Sequence, residues 1–290
     1  MRSMPNSGAD DPRAVALPAG AVRRAVERRR GARHEHVADA IAEEVPVAFV
    51  YNGRPHAVMM ATPADLPDFA RGFTLTEAIV ERANEIGAIV VEPALAGIEL
   101  RIDIPAARGA KLEDRVRELT GRTGCGLCGA QTLEAAVRHP PPVPEPLPLD
   151  GAALRRALDA LARQQTINVA TGATHAAAWV APNGDIVCLR EDVGRHNALD
   201  KLIGALVARG TDFRAGFVLV TSRASFEMVM KAATVGIGAV VAISAPTALA
   251  IALAEQANVT LIGFARSAGY SVYAHAARVR DVPILPGTVA

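Results

Sequence analysis

The sequence predicts an α/β protein in two parts, a C-terminal mixed sheet with helices on both faces and a smaller N-terminal α+β domain. Three observations carry this reading. Beyond residue 175, short apolar runs at 217–220, 239–243 and 259–264 alternate with helical stretches. Such near-continuous apolar strands suit a sheet with a parallel section, covered on both sides. The first half instead shows a hairpin and a strictly alternating strand. Between the halves runs Pro140-Pro141-Pro142-Val143-Pro144-Glu145-Pro146-Leu147-Pro148, a stiff connector and the clearest boundary in the chain.

In chain order, residues 1–35 mix Ser, Asn, Gly, Asp and Pro with the arginine cluster Arg28–Arg30. They lack apolar periodicity, so a disordered or loosely attached extension is expected. The N-terminal domain then spans 36–139. Apolar runs at 45–50 and 57–61 flank Asn52-Gly53, the strongest short hairpin signal. Thr62-Pro63 supplies an N-cap and an N1 proline for a helix through Phe69 and Phe73. Strands follow at 86–91 and 98–104, and an amphipathic helix at 111–119 closes the domain.

The linker occupies 140–148 and the C-terminal domain 149–290. Leu154, Leu158 and Leu161 mark a helix, and runs at 175–180 and 186–189 flank an Asn183-Gly184 turn. Helices at 198–208, 226–235 and 246–257 then alternate with the three apolar strands. Cys188, inside an apolar run, reads as a small core residue.

With 290 residues, half of them hydrophobic, the chain can bury a substantial core. Its net charge of +1 implies no general attraction to nucleic acid or membranes. Three cysteines do not make a disulfide framework, so a reducing compartment is expected. No apolar signal core opens the sequence, and no run of about 18 apolar residues could span a bilayer. A soluble, cytoplasmic protein is therefore expected.

Chemistry concentrates in Thr123-Gly124-Cys125-Gly126-Leu127-Cys128-Gly129. Glycine flanks both cysteines, which permits a tight loop with uncovered sulfurs. The stretch 130–137, with Leu133 and Val137 four apart, reads as a helix. A helix N-terminus beside the loop would favour thiolate over thiol. A half zinc site is the rival reading, but tetrahedral zinc needs two further ligands and no second C-x-x-C exists. A thioredoxin-like disulfide should follow a strand, whereas a helix precedes this loop. Gly124, Gly126 and Gly129 also spell G-x-G-x-x-G, again without the strand that a dinucleotide site requires. An exposed, activated thiol pair remains, with no structural metal expected.

Polar residues gather where strands end: 190–197, 221–225, 244–247 and 264–269. In open α/β sheets, ligands bind outside the carboxyl ends of strands, where helix N-termini offer N–H groups to anions. Asp192, Ser222 and Ser244 would serve equally as ordinary caps. Capping does not call for Arg195, Arg223 and Arg266 at three separate edges, and arginine suits phosphate or a purine edge. A phosphorylated, nucleotide-bearing ligand is favoured.

The segments Gly124-Cys125-Gly126-Leu127-Cys128-Gly129, Thr174-His175-Ala176-Ala177-Ala178, 191–201 (from Glu191-Asp192-Val193-Gly194-Arg195-His196-Asn197 to Lys201), Arg223-Ala224-Ser225-Phe226-Glu227-Met228-Val229 and Ser244-Ala245-Pro246-Thr247 occur in one order. In this the chain resembles the formate dehydrogenase accessory sulfurtransferase family (FdhD), from about Val45 to the C-terminus. The resemblance implies a cytidine-deaminase-like C-terminal domain. It further implies sulfurtransferase activity: sulfur passes, as a cysteine persulfide, from a cysteine desulfurase to the molybdenum (or tungsten) bis-guanine-dinucleotide cofactor of formate dehydrogenase. That cofactor, Mo-bis(molybdopterin guanine dinucleotide), would be bound as substrate by a homodimer. Cys125 and Cys128 would carry sulfur, Cys125 being preferred. Phe264, Ala265, Arg266, Ser267, Ala268 and Gly269 would contact the cofactor. Deaminase chemistry is not implied, because His175-Ala176-Ala177 lacks the glutamate of H-x-E and the C-x-x-C precedes the histidine. A chaperone that binds the cofactor without transferring sulfur is the alternative of a different class.

Overall fold

The computed structural model describes residues 16–112, 139–144, 146 and 148–280. The cysteine loop and the helices expected on either side of it, except for a helical stretch at 106–112, lie outside those residues.

The chain begins with a two-stranded antiparallel ribbon, β1 (Ala21–Arg30) and β2 (Arg33–Ala42). For residues 21–35 this corrects the expectation of an unstructured extension over 1–35, of which residues 1–15 lie outside the described residues. The alternation there is weak because neither face is fully covered: no residue of either strand is buried. Charge pairs such as Arg28 with Asp39, 3.2 Å apart, and the full ten-residue register take the place of an apolar face.

Strands β3 (Val45–Tyr51) and β4 (Arg54–Ala61) form the expected hairpin around Asn52-Gly53, both with positive φ (49° and 79°) as a type I′ turn demands. With β5 (Ile89–Ala94) and β6 (Gly97–Ile102) they form a four-stranded sheet ordered β4-β3-β6-β5. Its inner face, with Val47, Phe49, Leu100 and Ile102, packs on Phe69 and Phe73 of α1 (Leu66–Thr76). The helix starts later than its sequence signal. Asp65, at φ 55°, is the N-cap, and Thr62 is consumed elsewhere.

Strands β8 (His175–Val180), β9 (Ile186–Asp192), β10 (Phe217–Val220), β11 (Ala239–Ala242), β12 (Thr260–Arg266) and β13 (Gly269–Ala274) form a six-stranded sheet. Its order is β13-β12-β11-β10-β8-β9. Only β10-β11 and β11-β12 pair in parallel, the short β–helix–β connections forcing that direction, so the sheet is mixed. One face packs on α4 (Arg195–Ala208), α5 (Phe226–Thr234) and α6 (Ala248–Gln256). The other packs on α2 (Gly151–Gln164) through Leu154, Ala157 and Leu161. A short α3 (Thr166–Thr171) follows α2 and supports the ribbon. Cys188 is buried in the first of these cores, as expected. A small parallel pair, β7 (Leu149–Asp150) with β14 (Val279–Arg280), ties the start of this unit to its end.

The proline-rich run is docked on the fold at Val143. Val143 is buried, its N–H donates to the Ala257 carbonyl at 2.9 Å, and its carbonyl accepts from Asn258 Nδ2 at 2.8 Å.

The two sheets meet through α1 and α4. A Cβ on Gly72 would lie 1.7 Å from the Asp200 carbonyl oxygen, and one on Gly204 would lie 1.9 Å from that of Asp68. Only glycine permits this backbone-on-backbone crossing.

Candidate functional site

Most of the 190–201 segment is spent on holding the fold. The Glu191 carboxylate accepts from Ile167 N (2.9 Å), Asn168 N (2.8 Å) and Thr174 Oγ1 (2.9 Å), capping α3. Asp192, fully buried, accepts from Thr62 N (3.0 Å), Gly194 N (2.8 Å) and Asn197 Nδ2 (3.0 Å), and Lys201 Nζ lies 2.6 Å from it. Lys201 also donates to the Thr62 carbonyl at 2.8 Å. Arg190 clamps Asp68 at 2.8 Å. Asp200 accepts from Thr76 Oγ1 (2.6 Å) and from Lys231, which also reaches Glu77 at 2.8 Å. Buried charges persist only when paired in this way.

The remaining polar loops line the carboxyl edge of the six-stranded sheet. The segments after β10 and β11 are stitched together by Ala224 N to the Ala245 carbonyl (3.2 Å) and Thr247 N to the Ala224 carbonyl (3.1 Å). The next strand joins through Phe264 N to the Ser244 carbonyl at 3.2 Å. Because β8 runs antiparallel to β10, its first residue, His175, sits at the same edge. So do Arg195 and His196 in the first turn of α4; His196 Nε2 lies 2.8 Å from Glu227 Oε2 in α5. Burial, then the charges of Arg195 and His196, hold the His175 pKa below the ordinary histidine value.

The stretch 264–269 is the hairpin joining β12 to β13, with a register irregularity between Gly263 and Arg266. Its six residues divide by role. Phe264 is 50% exposed and adopts φ 50°, a left-handed conformation that is an outlier for an aromatic residue. Ala265 is wholly buried and faces the core. Arg266 is exposed, but its Nη1 turns back on the carbonyls of Ile243 and Ala265. Ser267 donates to Asp159 of α2, and Ala268 is exposed. Gly269 has open space around it. Cys125 and Cys128 lie outside the described residues. Among the described residues no group of three or more His, Cys, Asp or Glu is arranged to hold a metal ion. Nor is any helix there long and apolar enough to cross a membrane.

Sequence reasoning assigned the 190–197 segment to the ligand edge as a block. The structure separates it: Glu191, Asp192 and Asn197 turn inward, whereas Arg195 and His196 remain at the edge. Glu227, named within the Arg223–Val229 segment but given no role of its own, joins them.

These features define a mixed α/β protein whose six-stranded sheet carries cationic and aromatic side chains along its carboxyl edge. The comparisons carry that class to a family. The FdhD/NarQ family model matches residues 42–280, and the chain belongs to this family. It is 54% identical over 271 residues to the sulfur carrier protein FdhD of Xanthomonas euvesicatoria pv. vesicatoria, covering 93% of this chain and 96% of that protein. The sulfur carrier protein FdhD of Cupriavidus necator is 52% identical over 242 residues, covering 83% and 84%. In fold the chain is similar to a formate dehydrogenase accessory protein from Desulfotalea psychrophila, with TM-score 0.69, 22% identity, and 90% and 99% coverage.

Proposed function

We propose that this chain is a sulfur carrier for the maturation of formate dehydrogenase. The observation that supports it most is the 54% identity, over nearly the whole chain, to a protein named for sulfur carriage. Sulfur would be held on Cys125 or Cys128. The thiolate attacks the outer sulfur of a desulfurase persulfide, the S–S bond there breaks, the donor leaves as thiolate, and a persulfide forms on this chain. The acceptor is the molybdenum or tungsten bis-guanine-dinucleotide cofactor, taken as substrate.

The carboxyl edge suits the nucleotide ends of that acceptor. Phe264 is half exposed and can offer its ring to a base, and its strained backbone is the kind of outlier found at ligand sites. Ala265 fits by backbone alone, and Ser267 and Ala268 by the turn that they form. The three parallel strands β10, β11 and β12, flanked by antiparallel β8 and β13 and covered on both faces, suit a cytidine-deaminase-like arrangement. A cytoplasmic homodimer meeting a cysteine desulfurase and formate dehydrogenase completes the proposal.

Intact mass after incubation with desulfurase and cysteine tests it. The wild type and Cys188→Ala gain sulfur that a reductant removes, and the Cys125→Ala, Cys128→Ala double variant does not. An equal load on the double variant overturns the thiol assignment. Cofactor binding without any sulfur gain favours a non-transferring chaperone.

A further inference from the structure

Once the contacts within the fold are assigned, one group of polar side chains at the carboxyl edge remains without a structural task. Of the charged residues in 190–201, Arg195 and His196 alone do not brace the two sheets or cap α3. Both open α4, whose N-cap, Gly194, brings no side chain to its N–H groups. They face the start of α5, whose N-cap, Ser225, makes no side-chain capping bond. His175 approaches from β8 and shares their field.

Three side-chain atoms in this group are shut off from solvent and make no well-directed hydrogen bond among the described residues; His196 Nε2 has the Glu227 carboxylate at 2.8 Å, which leaves Arg195 Nε and Ser225 Oγ without an acceptor. A buried donor without an acceptor carries a desolvation penalty that a bound acceptor removes. Glu227, a carboxylate of this cluster, is already engaged by His196. The two donors come from α4 and the start of α5, and His175 approaches from β8, so the three side chains come from different elements. A tetrahedral oxyanion presents oxygens to all of them, whereas a carboxylate presents two in one plane. Guanidinium and helix N-termini both favour phosphate.

We infer that Arg195, Ser225 and His175, with the first-turn N–H groups of α5, form a site for a phosphate group of a nucleotide lying along the carboxyl edge. The inference deepens the proposed function and rests on it for the identity of the base. It also moves phosphate recognition away from Arg266, part of whose guanidinium is spent on the Ile243 and Ala265 carbonyls. In the order β10-β11-β12 the two ends of this edge are two strand spacings apart, about 10 Å. Phosphate would lie beyond β10 and the base against Phe264 beyond β12.

Calorimetric titration of the full chain with GDP, guanosine and inorganic pyrophosphate tests this. Arg195→Gln is expected to weaken GDP and pyrophosphate about tenfold to a hundredfold, and Ser225→Ala about three- to tenfold, with guanosine unchanged for both. Phe264→Ala should weaken guanosine and GDP but not pyrophosphate. GDP affinity equal to wild type in both Arg195→Gln and Ser225→Ala, or no binding of either phosphate compound to the wild type, overturns the site. If Arg195→Gln loses its circular dichroism, Ser225→Ala, which removes one oxygen, decides alone. Pyrophosphate binding that is lost in the variants, with GDP no tighter than pyrophosphate, upholds the phosphate site and overturns the guanine reading. The sulfur-loading measurement is independent of all these outcomes.

Discussion

His175 shows how a single residue reports on the edge it occupies. Burial and the neighbouring Arg195 and His196 disfavour its charged form, so its folded pKa lies below the value of about 6.5 that it has in an unfolded chain. Between those two values the unfolded state binds more protons, and stability therefore rises with pH in that window. As pH falls through about 6.5, stability from this group is lost. Thermal melts of wild type and His175→Gln between pH 5 and 7 should show a smaller slope in the variant. Equal slopes would mean that His175 titrates alike in both states. Glu227 acts in a separate, more acidic window: its hydrogen bond from His196 lowers its pKa, so its contribution is present above about 4.3 and fades below. The same scale explains what sequence could not reveal about 264–269. The chemistry of Phe264 and Arg266 was legible, but which atoms face outward depends on a backbone irregularity and on carbonyls of the same strand and of the end of the adjacent one.

Among the elements, those with strong local signals were the ones read correctly. Asn52-Gly53 and Asn183-Gly184 fixed both hairpins, and Thr247 caps α6 by accepting from Ala250 N at 3.3 Å. Thr62 misled because its side-chain oxygen, competent to cap, instead accepts from Val193 N at 3.2 Å, 131 residues away. The β1–β2 ribbon was missed because strand alternation becomes visible only when one face is buried. The α1–α4 crossing was equally invisible, since Gly72 and Gly204 signal nothing until the helices meet. Gly72→Ala is expected to force them apart and lower stability by about 1–3 kcal/mol, the usual range for overpacking. Urea denaturation measures this, and an unchanged midpoint would contradict the crossing as described.

For the whole molecule, the buried charges decide whether two sheets behave as one body. Burial works against the charge on Lys231, but Asp200 and Glu77 outweigh it and hold its pKa above the ordinary lysine value. Lys231→Met leaves those carboxylates uncompensated and should cost about 3–5 kcal/mol. Adding Asp200→Asn should recover part of that loss, because the two positions are directly coupled. Strictly additive denaturation energies would show that the pair does not act as a unit.

The docked proline run has a consequence for how sulfur reaches its acceptor. Leu112 and Val143 are both buried, one in each core, and the chain carrying the two cysteines is therefore fastened at both ends. Cys125 is thirteen residues beyond the first anchor, which bounds its excursion from that point at about 45 Å even for a fully extended chain. Under the proposed function, a sulfur on Cys125 would meet a cofactor held by the same chain at an effective concentration set by this tether and not by the abundance of the protein. Delivery would then be a unimolecular event, as fast in a dilute cell as in a crowded one.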